Sequence, residues 1–177
     1  MSACNAYDAA LPRQGSGIGR TGWRLSNPSS QMNKSELLSL RYELESMTID
    51  FWHEVDIEGG GNAPSYYAED AVFASSVREY RGRPAIEAFY ARRRDRGARV
   101  SLHQVNNFRI ELDSETRVRG QYILSLFAAD GAPILPSRPA IMLALVEEVF
   151  LKQADGSWLY ESRRVDAQFR DDTPTTG

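Results

Sequence analysis

The sequence predicts an α+β domain in which a helical first half lines one side of a curved antiparallel sheet, with a small-molecule pocket between them. Three observations carry this. Before Gly97, apolar residues recur mainly at three- and four-residue spacing; from Val100 onward the period drops to two; and turn signals divide that second half into four long runs. A chain of 177 residues fits one domain, long enough to bury a core without disulfides or metals.

Composition narrows the function classes. Hydrophobic residues make up 42% and charged residues 25%, close to the globular average. The net charge of -3 lacks the basic excess of a nucleic-acid binder. A single cysteine, Cys4, rules out a disulfide framework within one chain and favours a reducing compartment. No basic stretch followed by an apolar core opens the chain, so no signal peptide is expected. The longest apolar run, Ala140 to Val146, is strand-sized, far short of the roughly 20 residues that cross a bilayer. A cytoplasmic protein with no membrane or nucleic-acid partner is expected.

Residues 1–32 read as a flexible tail, because Gly15, Gly17, Gly19 and Gly22, with Pro12 and Pro28, break any periodicity. The run Gly15-Ser16-Gly17-Ile18-Gly19 looks superficially like a phosphate loop, but it follows no strand and opens no helix. The domain proper is expected over residues 33–170, with a second tail over 171–177. Its first helix starts near Ser35, with Asn33 or Ser35 as cap and Glu36 in the first turn. Leu37, Leu40, Leu44, Met47, Phe51 and Val55 form one apolar stripe, and Ile49, Trp52 and Asp56 a second row beside it. Gly59-Gly60-Gly61 ends the helix.

A short helix is expected from Pro64 to Ala68, a strand at Ala71–Ala74 and another at Glu79–Arg81. Pro84 opens a third helix, with Ile86, Phe89 and Tyr90 inward and Arg92, Arg93, Arg94 and Arg96 on a solvated face. Long strands are expected at Leu102–Leu112, Arg117–Ala129, Ala140–Lys152 and Ser157–Phe169, the last two joined at the hairpin signal Asp155-Gly156. The first helix is too long to lie flat across a twisted sheet. It should follow a curved one and leave a space at one end.

The residues able to carry chemistry are few. His53 lies off the apolar stripe and reads as a surface residue. His103 sits in the polar cluster Leu102-His103-Gln104-Val105-Asn106-Asn107, inside an otherwise apolar strand. Such a cluster either faces solvent or belongs to a buried network. Asp56 closes the first helix, where a carboxylate opposes the helix dipole, so it is either solvated or partnered. Glu148 lies in an apolar strand and is either half of a cross-strand ion pair, with Arg117, Arg119, Arg163 or Arg164, or an acid in the pocket. Two histidines and one cysteine in the tail give no metal site, and none is expected.

Several segments together resemble a known family. They are Val55-Asp56 before the glycine break, Tyr66-Tyr67-Ala68-Glu69-Asp70-Ala71-Val72-Phe73, Tyr80-Arg81-Gly82-Arg83-Pro84, the His103 segment, Glu147-Glu148-Val149-Phe150 and Asp155-Gly156-Ser157-Trp158. Over roughly residues 35–170 the chain is similar to the SnoaL-like branch of the nuclear transport factor 2-like superfamily. The resemblance implies a cone: about three helices closing a strongly curved, partly mixed sheet around an apolar pocket. In the subset containing scytalone dehydratase it implies an aspartate–histidine pair, onto which Asp56 and His103 map. Tyr66 and Tyr67 are loose counterparts of that subset's tyrosines, and the other expected pocket positions are Trp52, Phe73, Tyr90, Asn106 and Glu148.

One feature opposes that pair. Strict alternation puts Leu102, Phe108, Ile110 and Leu112 on one face and His103 on the other; a bulge near Gln104–Asn107 would restore the histidine to the pocket. Three functions are carried forward. The first is a cofactor-independent lyase or isomerase, of the dehydratase, cyclase or dehydrohalogenase kind, acting on a hydrophobic small molecule. The second is the non-catalytic small subunit of a ring-hydroxylating dioxygenase. The third is a ligand-binding domain without chemistry. Self-association as a homodimer or homotrimer is expected in each case, because a long sheet must cover its outer face.

Overall fold

The structure is a computed structural model that describes residues 32–173. The N-terminal tail with Cys4 and the glycine-rich run falls outside the described residues, as do residues 174–177.

Helix α1 (Lys34–Asp56) begins on a capping box at Asn33. The Asn33 side chain accepts from the Ser35 and Glu36 amides at 2.9 and 3.1 Å, and Glu36 accepts the Asn33 amide at 2.7 Å. Residues 32–39 are all exposed, and burial begins further along, at Leu44, Thr48, Phe51, Trp52 and Val55. The expected stripes are therefore corrected at two places: Leu37 is 39% exposed, and Ile49 is 51% exposed. Gly59 and Gly60 take positive φ of 83° and 74° and fold the chain back, the Gly60 amide reaching the Glu54 carbonyl at 2.9 Å.

A one-turn 3-10 helix (Ala63–Tyr66) stands where the short helix was expected. Strand β1 (Tyr67–Ser75) follows, longer than its sequence signal, and then β2 (Glu79–Arg81). Helix α2 (Arg83–Asp95) opens on Pro84 and buries Ile86, Phe89 and Tyr90. The four long strands are β3 (Arg99–Leu112), β4 (Arg117–Asp130), β5 (Met142–Lys152) and β6 (Trp158–Arg170).

All six strands form one sheet in the order β2-β1-β6-β5-β4-β3. β1 runs parallel to β6, and every other pair is antiparallel, so the sheet is mixed. Register shifts interrupt β1 against β6, β3 against β4, and β5 against β6 in two places. Each extra residue bends its strand and increases local twist, so the sheet curls around the helices rather than lying flat beneath them.

The core is aromatic. Phe51 is fully buried and meets Trp52, Tyr66, Tyr67, Tyr90 and Tyr160 edge-on, with centroids 5.0 to 6.2 Å apart. On β4, Gly120 is a close-approach position: a Cβ there would lie 2.7 Å from Cε2 of Phe150. Among the described residues, no helix is long and apolar enough to cross a membrane.

Candidate active site

The C-terminal end of α1 meets the start of β3, the last strand of the sheet. An edge strand presents unpaired amides, and α1 covers this edge with a carboxylate. Asp56 Oδ2 accepts the His103 amide at 2.6 Å, and Oδ1 accepts the Ser101 hydroxyl at 2.8 Å. Oδ1 also lies 2.7 Å from His103 Nδ1. Side-chain exposure is 6% for Asp56 and 10% for His103. These donors answer the unfavourable helix-end position of Asp56.

His103 reaches this place because β3 is not a regular strand. Ser101, His103 and Val105 face inward while Leu102 and Gln104 face out. A bulge then shifts the register between Asn106 and Arg109, with Asn107 at φ 57°. Beyond it, Phe108 faces inward and is 2% exposed. Leu102 and Phe108, assigned to one face by alternation, thus lie on opposite faces, and the histidine points into the molecule.

An ionised carboxylate only accepts, so Nδ1 carries the proton and Nε2 keeps its lone pair. Burial pushes the imidazole below its ordinary pKa; the hydrogen bond and charge of Asp56 oppose this, and Arg93 and Arg163 add to the lowering. The ring is therefore neutral at neutral pH, the state a base requires. Trp52 stacks on it at 3.9 Å between centroids and 16° between planes, fixing the ring plane while Asp56 fixes the tautomer.

The stack is anchored in turn. Trp52 Nε1 donates to the Tyr122 hydroxyl at 3.0 Å, and that hydroxyl donates to Glu148 Oε1 at 3.1 Å. Arg163 Nε donates to the same oxygen at 2.7 Å, and Thr48 donates to Oε2 at 3.0 Å. Glu148 and Arg163 are 1% and 0% exposed, and the guanidinium lies 3.7 Å from the Phe51 ring centroid. Of the two sequence readings of Glu148, the cross-strand pair holds, with Arg163 opposite it in register.

A cavity of about 120 Å³ opens in front of His103. Trp52, Phe73 and Tyr90 line it, as do Phe89, Leu124 and Leu126. Four residues expected in the pocket lie elsewhere. Tyr66 packs edge-on against Phe51, Tyr67 is sealed in the core, and Glu148 sits beneath α1 with Arg163. Asn106 is on the outer face, donating to Gln104 O at 3.2 Å. His53 is exposed beside Glu58, as a surface residue should be.

Arg93 corrects the solvated-arginine expectation. Its guanidinium donates to Val55 O at 2.9 Å and to Ser101 Oγ at 2.6 Å, and stands 3.9 Å from Asp56 Oδ1. It tethers the end of α1 and orients the serine that holds the aspartate. The signal for it was present in the sequence: position 93 lies three, four and seven residues after Tyr90, Phe89 and Ile86, on the buried face of α2. Ser101 likewise lies two residues before His103 and shares its face.

The fold is a small α+β cone with a polar pair at the wall of an apolar cavity. Residues 48–164 match the SnoaL-like domain, and the chain belongs to that family, in the nuclear transport factor 2-like superfamily. No curated protein matches the chain. Among solved structures, a candidate scytalone dehydratase from Novosphingobium aromaticivorans is 18% identical, with a TM-score of 0.68, over 81% of this chain and 93% of its own. ActVI-ORFA from Streptomyces coelicolor is 18% identical, with a TM-score of 0.64, over 73% and 98%. A Catenulispora acidiphila protein in complex with S-DNPA is 22% identical, with a TM-score of 0.61, over 73% and 94%. At these identities the likeness shows the fold.

Proposed function

We propose that the chain is a cofactor-independent lyase or isomerase in which His103 is the general base and Asp56 its positioning residue. The observation that carries this is the 2.7 Å contact between Asp56 Oδ1 and His103 Nδ1 at the wall of an apolar cavity. Nε2 removes a proton from a carbon next to a carbonyl or a leaving group, and Asp56 stabilises the imidazolium that results. The electron pair left behind expels the leaving group or shifts a double bond. The proton is then returned to the product or to water. A positioned base contributes about 10²–10⁴-fold to such a step.

A nitrobenzisoxazole tests the base without knowledge of the natural substrate, because its ring opens by carbon deprotonation and N–O cleavage with a coloured product. The wild-type protein should accelerate this opening, and His103→Ala should return it to the buffer rate with the circular-dichroism spectrum unchanged. No acceleration by the wild-type protein, or acceleration that survives His103→Ala, would overturn the proposal.

A further inference from the structure

The charged side chains lining the cavity are of one sign. Arg93, Arg99 and Arg170 contribute to its wall, and no carboxylate appears among its described lining residues. Their situations differ. Arg93 is committed to Val55 O and Ser101 Oγ at the back. Arg99 is 10% exposed and held by Asp130 at 2.6 Å. Arg170 ends β6 and is exposed.

The sheet register places Arg170 relative to the base. His103 pairs with Leu126, Leu126 with Met142, and Met142 with Arg170. These four residues form one row across β3, β4, β5 and β6, and all four line the cavity. Three interstrand steps separate the ends of the row, about 14 Å between Cα atoms at the usual spacing. The histidine stands at one end and a guanidinium at the other, with the apolar side chains of Leu126 and Met142 between them.

We infer that the cavity takes an amphipathic anion: an apolar body over Leu126 and Met142, with a carboxylate held at the mouth by Arg170. A guanidinium presents two parallel donors that match a carboxylate. Arg93 stands 3.9 Å from Asp56 and Arg99 is paired with Asp130, so the ligand's charge is assigned to Arg170. With Arg170 exposed at one end and Leu126 and Met142 between it and His103, the cavity favours a ligand with one charged end over one charged throughout. That the far end of this ligand is presented to His103 rests on the base proposed above; the preference for an anion does not.

Naphthylacetate and its neutral amide, naphthylacetamide, form a matched pair of probes. Titrated by calorimetry at low salt, the acid should bind the wild-type protein about tenfold or more tighter than the amide. The difference should shrink at high salt. Arg170→Gln should abolish the discrimination by weakening the acid alone, and Arg170→Lys should restore part of it. His103→Ala should keep the discrimination, which separates this inference from the fate of the base. Equal affinities for acid and amide, discrimination that survives Arg170→Gln, or binding of neither probe would overturn it.

Discussion

The proposed base is a single ring, and its protonation would set the pH at which it works. Since burial holds the His103 pKa below the ordinary 6.5, the rate of nitrobenzisoxazole opening should rise with pH, with its midpoint below 6.5, and be flat above it. Asp56→Asn removes the group that favours the charged ring, so the midpoint should move lower still and the plateau should fall. A midpoint at or above 6.5 for the wild-type protein would contradict the burial argument. The same shift makes a statement about stability. Between the lowered native value and 6.5 the unfolded chain binds a proton that the native ring refuses, so His103 makes stability rise with pH in that window and no longer changes it above.

At the scale of elements, the site depends on an interruption rather than on regularity. β3 turns His103 and Phe108 to the same side only because Asn107 adopts a left-handed backbone. Asn107→Val should destabilise the fold by roughly 1–2 kcal/mol, since a β-branched residue suffers most in that region, while Asn107→Gly should cost little. Urea denaturation of the two variants checks this; equal stabilities would mean that the bulge relaxes without penalty. This is also where the sequence was hardest to read. Leu44, Phe51 and Val55 declared their helix by spacing, and the four long strands declared theirs by alternation and by turns such as Asp155-Gly156. A bulge adds one residue and leaves no mark on composition, so alternation alone sent His103 to the wrong face. Tyr66 and Tyr67 were drawn to the pocket by likeness to a family pattern, and Asn106 by its place in the polar cluster of His103, whereas the fold puts the tyrosines against the core and Asn106 on the surface. Arg93 was misjudged differently: its charge outweighed its position on the buried stripe of α2.

For the whole molecule, the Glu148–Arg163 pair joins the sheet to α1 through Thr48, and through Tyr122 to Trp52. Glu148→Gln removes the negative partner and leaves a guanidinium buried among aromatic rings, which should cost about 3–5 kcal/mol of unfolding free energy. Replacing both members, as Glu148→Gln with Arg163→Met, should recover much of that loss because no charge is then stranded. Equal stabilities of the single and double variants would remove the pair from its structural role. The same network holds one orientation of the imidazole: the ring of His103 rests on Trp52, and Trp52 is fixed from below by Tyr122 and Glu148, which lie outside the cavity lining.

The parallel alignment of β1 with β6 has a consequence for how the chain is made. Tyr67 and the stretch from Val72 to Ser75 find their sheet neighbours at Tyr160 and between Ser162 and Val165, close to a hundred positions later in synthesis. Until the ribosome has delivered that closing strand, the early hairpin has only itself to lean on, and the aromatic cluster around Phe51 lacks Tyr160 on one flank. Long-range closures of this kind are slow, so the hollow that faces His103 takes shape among the last events of folding.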